Sequence, residues 1–104
     1  MNDKRLRLEA MIASPPTAAC EAIVAMLDDI VAAHPDQVVL DVYLAGEQPG
    51  CEPTKGYQDK GKYKRVPNVF VNGIMVAQVE APGPAVLASI VEAELQKGPA
   101  GWQD

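Results

Sequence analysis

The chain reads as an α/β domain built on one four-stranded mixed sheet with helices on both faces. Three observations lead there. Segments of period two and segments of helical period alternate along the sequence. One long helical segment separates the first two strand-like segments, which makes those strands parallel neighbours through a right-handed crossover. An Asn72-Gly73 pair then joins two later strand-like segments into a hairpin.

Residues 5–13 alternate, with Leu6, Leu8, Ala10 and Ile12 on one side and Arg7 and Glu9 on the other. That is a strand with at least one buried face. Ser14-Pro15-Pro16 stops it, because proline cannot extend a ladder, and proline also suits the first turn of a helix. A helix over 17–33 follows, with Cys20, Ile23, Val24, Leu27, Ile30 and Val31 as its apolar stripe and Glu21, Asp28 and Asp29 off it. His34-Pro35-Asp36 ends it.

Residues 37–44 (QVVLDVYL) are β-branched and form the second strand. Residues 45–65 have no clear period, apart from a short helix over 54–62 that begins near Pro53. Val66–Val71 and Ile74–Glu80 are the hairpin strands. Pro82-Gly83-Pro84 opens a last helix over 84–96, and Gly98-Pro99 closes it. The expected sheet order is 2-1-3-4, in a single domain over 1–104 with 98–104 as a flexible tail to which Trp102 alone offers an anchor.

Composition narrows the function. Of the 104 residues 48% are hydrophobic, with one Phe, one Trp and three Tyr, so aliphatic side chains must build the core. The net charge of −5 has the wrong sign for a phosphate-tracking surface, and nucleic acid is not an expected partner. Within 54–65, however, Lys55, Lys60, Lys62, Lys64 and Arg65 face only Asp59. That segment is either a solvated loop or a local attractor for an anion or thiolate. No apolar stretch approaches the ~20 residues that span a bilayer. The N-terminal apolar residues are broken by Arg7 and Glu9, unlike a signal peptide, so the expected compartment is the cytoplasm. Two cysteines there read as chemistry or core filling rather than as a structural disulfide.

The element order, together with two local features, resembles the thioredoxin and glutaredoxin superfamily over about residues 5–97. Val66-Pro67, followed by the apolar strand Asn68–Val71 and the Asn72-Gly73 turn, is similar to the family's cis-proline segment. Thr17-Ala18-Ala19-Cys20, at the junction of first strand and first helix, resembles the family's Cys-x-x-Cys, with Thr17 in place of the attacking cysteine and Cys20 in place of the resolving one. The resemblance implies a cis peptide before Pro67. It would present the Val66 backbone, with Arg65 beside it, to a protein thiol or a small thiol such as glutathione.

For Cys20 two readings stand. A thiol in the first turn of a helix meets unpaired N–H groups and the positive end of the dipole, which favour the thiolate. A thiol on the apolar stripe is instead buried and inert. Thr17 suits a helix N-cap or a hydroxyl partner of the thiol. Cys51, in Pro49-Gly50-Cys51-Glu52-Pro53 after the second strand, is a candidate redox partner of Cys20, since parallel strands end on one edge. The alternative is a free loop thiol.

His34 lies 14 residues past Cys20, roughly 21 Å along a helix, so no Cys–His dyad forms. One His and two distant Cys make no metal cluster, no Gly-rich phosphate loop is present, and no cofactor is called for. Three functions are therefore expected: a thiol-dependent oxidoreductase using Cys20, with or without Cys51; a non-catalytic binding or scaffold module; or a peroxidase. The last follows from Thr-x-x-Cys in peroxiredoxins, although their proline four residues before the Thr is Ala13 here.

Overall fold

Alternation at the start of the chain becomes the central strand of the sheet. The computed structural model describes residues 4–60 and 65–103, so Lys62 and Lys64 of the basic segment lie outside the described residues. Strand β1 (Leu6–Ile12) pairs in parallel with β2 (Val38–Leu44), Leu6 opposite Val38 and Ile12 opposite Leu44. On its other side β1 runs antiparallel to β3 (Asn68–Val71), which pairs antiparallel with β4 (Ile74–Gln78). The order is β2-β1-β3-β4, as the crossover and hairpin rules require.

Helix α1 (Ala18–Ala33) and helix α3 (Pro84–Lys97) cover one face. Their Ile23, Leu27, Leu87 and Val91 join Leu6, Leu8, Ala10, Val69 and Val71 in the main core. The short helix α2 (Lys55–Asp59) covers the other face, where Tyr57 packs between Tyr43 and Phe70 with ring centroids 4.7 and 4.8 Å apart. This is the thioredoxin-like arrangement of layers. Among the described residues no helix is long and apolar enough to cross a membrane.

Local chemistry sets the element ends. Thr17 and Thr54 cap α1 and α2, their hydroxyls accepting from the backbone N–H of Cys20 and Tyr57. Asn72 and Gly73 take φ of 52° and 73°, the positive pair that a two-residue hairpin turn needs. Strand β4 stops two residues short of expectation because Val79 turns to φ 71° and Glu80 N–H bonds Gln78 C=O at 2.8 Å.

The end of the chain packs through the one anchor its sequence offers. Residues 99–101 form a 3-10 turn, and Trp102 is buried with its indole N–H on the Glu94 carbonyl at 2.9 Å. Gln103 then bridges two elements: its N–H donates to Asn72 Oδ1 at 2.6 Å and its Oε1 accepts from Gly56 N–H at 2.8 Å. The aliphatic core has space for one large ring, and the tail supplies it.

Candidate functional site

The junction of β1 and α1 is built from backbone groups left over by both elements. Beyond Ile12 the chain leaves the ladder, so the Ala13 N–H is available, and the first turn of a helix leaves its own N–H groups unpaired. Cys20 is fully buried at this point, and its sulfur accepts from Ala13 N–H at 3.4 Å and from the Thr17 hydroxyl at 3.2 Å. Thr17 Oγ1 in turn accepts the Cys20 N–H at 3.2 Å. One hydroxyl thus caps the helix and donates to the thiol. Burial pushes the Cys20 thiol up, but the hydrogen bonds from Thr17 and Ala13 outweigh it and hold the thiol below its ordinary value. Thr17 itself is exposed.

The second predicted feature lies at the same end of the sheet. Met11 pairs with Asn68, and its N–H donates to Asn68 Oδ1 at 2.9 Å, so the antiparallel register carries Pro67 and Val66 past the end of β1 toward Ala13. The Val66–Pro67 peptide is cis, as is Ser14–Pro15. Pro67 is buried and its carbonyl accepts from Val79 N–H at 2.7 Å. Arg65 is exposed; its N–H donates to Gln78 Oε1 and its carbonyl accepts from Asn68 Nδ2. Thr17, Cys20, Val66 and Pro67 therefore gather at one end of the sheet.

Cys51 does not join them. Both thiols are free, and Cys51 is exposed with its sulfur 3.6 Å from Arg7 Nη2 and 4.0 Å from the Tyr43 hydroxyl. Ala13 and Arg7, against which the two sulfurs lie, are six residues apart along an extended chain, roughly 20 Å. The sulfurs also lie on opposite faces of the sheet, whereas a disulfide needs Cα atoms within about 7 Å. The reason is the path of 45–53. The loop does not stay at the strand ends but folds back under the sheet, where Thr54 is tied to Glu9.

That tie belongs to a polar cluster on the second face of β1, the side to which alternation assigns Arg7 and Glu9. Glu9 is fully buried, and its carboxylate accepts from the Tyr43 hydroxyl at 2.7 Å, from Thr54 N–H at 3.0 Å and from the Thr54 hydroxyl. Arg7 donates through Nε and Nη2 to Asp41 Oδ2 at 3.2 and 2.8 Å, and through Nη1 to the Glu52 carbonyl at 2.8 Å. Burial works against the Arg7 charge, yet the Asp41 hydrogen bond and the nearby Tyr43 and Glu9 hold the guanidinium above its ordinary value. Burial and the Glu9 hydrogen bond push the Tyr43 phenol up, and burial with nearby Glu9 takes Tyr57 to about 12. The parallel register sets Arg7, Glu9 and Met11 beside Val39, Asp41 and Tyr43, and no local pattern in the sequence signals the cluster.

Among the described residues no three His, Cys, Asp or Glu side chains group as metal ligands. No protein-family profile and no curated protein sequence matches the chain.

Proposed function

We propose that the chain is a member of the thioredoxin and glutaredoxin superfamily that works through a single thiol, Cys20. The observation that carries this is the pair of hydrogen bonds converging on the Cys20 sulfur from Thr17 and Ala13 N–H. Two donors aimed at one sulfur favour the thiolate, the form that attacks disulfides. The Cys20 thiolate attacks one sulfur of an oxidised thiol compound, RS–SR; a Cys20–SR bond forms and RS⁻ leaves. A second thiolate then attacks the bound SR sulfur, giving a new disulfide and returning the Cys20 thiolate. Among the described residues no backbone partner engages the Val66 N–H and C=O, which supports their use by an extended thiol substrate.

Incubation of a Cys51→Ser variant with glutathione disulfide tests this. One glutathionyl group on Cys20, removed by excess glutathione, is expected; an unmodified protein that takes the group only in denaturant would overturn it. The complete burial of Cys20 favours a second reading, a binding module in which the thiol only fills space and Thr17 with the Val66–Pro67 edge holds a partner.

A further inference from the structure

Away from the thiol, the second half of α1 and the start of α3 do not close on each other. Along α1, Met26, Asp29, Ile30 and Ala33 follow one helical stripe, and along α3 Pro84, Ala88, Val91 and Glu92 follow another. Ala33 and Ala88 are too short to fill the space between the stripes, and a groove of about 300 Å³ remains. Met26, Ile30 and the buried Val91 give it apolar walls.

Asp29 and Glu92 line the groove and are exposed, His34 at the end of α1 also lines it, no Lys or Arg does, and among the described residues neither carboxylate has an ion-pair partner. At the end of α1 the His34 N–H caps the Ile30 and Val31 carbonyls, both at 3.1 Å, so the two carboxylates rather than the helix end set the sign of the groove. Apolar walls and two carboxylates without ion-pair partners favour an occupant with an apolar body and a positive charge.

We infer that this groove binds a small organic cation, an ammonium group on a single ring or a short alkyl chain. The volume stands at the low end of ligand pockets, which sets that size. The apolar body lies between Ala33 and Ala88, and the ammonium group lies toward Asp29 and Glu92. Ile30 is ten residues along α1 from Cys20, roughly 15 Å, so this site and the thiol site are separate and stand or fall independently.

Backbone amide shifts of the 104-residue chain, followed by NMR at low salt, test the inference with three probes of one shape: 3-phenylpropylammonium, 3-phenylpropanol and 3-phenylpropionate. The cation is expected to shift Ile30, Ala33, Ala88 and Val91, the alcohol to bind about fivefold or more weakly, and the anion not at all. An Asp29→Asn, Glu92→Gln double variant should bring the cation to the affinity of the alcohol. Ala88→Leu, which fills the groove, should abolish the shifts while the spectrum stays dispersed. Equal affinity for all three probes, shifts centred elsewhere, or no shift with the cation at millimolar concentration would overturn the proposal.

Discussion

The carboxylate of Glu9, with no exposed surface, takes the hydroxyl hydrogen of Tyr43 at 2.7 Å across the β1–β2 pair. The same carboxylate holds the N–H and hydroxyl of Thr54, so one side chain joins the central strand, its neighbour and the cap of α2. Glu9→Ala would leave three buried donors without an acceptor. The expected loss is about 3 kcal/mol or more in urea unfolding. Glu9→Gln, which keeps one acceptor oxygen, should lose less than the alanine variant.

Helix α2 touches the β3–β4 turn through glycine. A Cβ on Gly56 would stand 1.9 Å from the carbonyl oxygen of Gly73, a backbone atom that cannot move aside alone. Gly56→Ala is therefore expected to destabilise the fold by about 2 kcal/mol or more, with the largest amide-shift changes at Gly73 and Gln103.

Val79 is the opposite case. A β-branched residue at φ 71° is strained, and its side chain is exposed, so its removal costs little packing. Val79→Gly should raise stability by about 1 kcal/mol, which thermal or urea unfolding would show. A loss of stability would mean that the Val79 side chain matters more than its backbone.

Cys20 links the thiol site to pH. Its thiol is held below the ordinary value in the folded chain, so the folded state releases its proton first and stability rises with pH in that window. The contribution is absent below the folded pKa and complete above the unfolded value of about 8.5. In a Cys51→Ser background, the stability difference between the native Cys20 chain and a Cys20→Ser variant should grow in favour of Cys20 from pH 6 to pH 9. Thr17→Val should reduce that slope and, through loss of the cap, cost about 1 kcal/mol at every pH.

The sequence carried the layout well where period and punctuation coincide. The alternation of Leu6–Ile12, the stripe from Cys20 to Val31, and Asn72-Gly73 each depend on neighbours within a few residues, and the sheet order followed from them. It carried less where the outcome depends on distant partners. Arg7 and Glu9 alternate onto the second face of β1, and nothing local shows what covers that face, because the loop that does so has no period of its own. For the same reason the path of Cys51 was not legible, and the shared end of strands β1 and β2 suggested a meeting with Cys20 that the tie from Thr54 to Glu9 prevents. Trp102 offered only its size as a sign that the tail docks. At the thiol site, the N-cap position of Thr17 and the inward face of Cys20 were both readable; the donor from Ala13 was not, because it comes from the strand end rather than the helix.

The rate of alkylation of Cys20 against pH tests the central claim most directly. In native Cys51→Ser protein, iodoacetamide should modify Cys20 along a titration curve centred below that of the same cysteine in the unfolded chain, and Thr17→Val should move that curve upward. A Cys20 that reacts only after denaturant is added, or whose curve is unmoved by Thr17→Val, would contradict it.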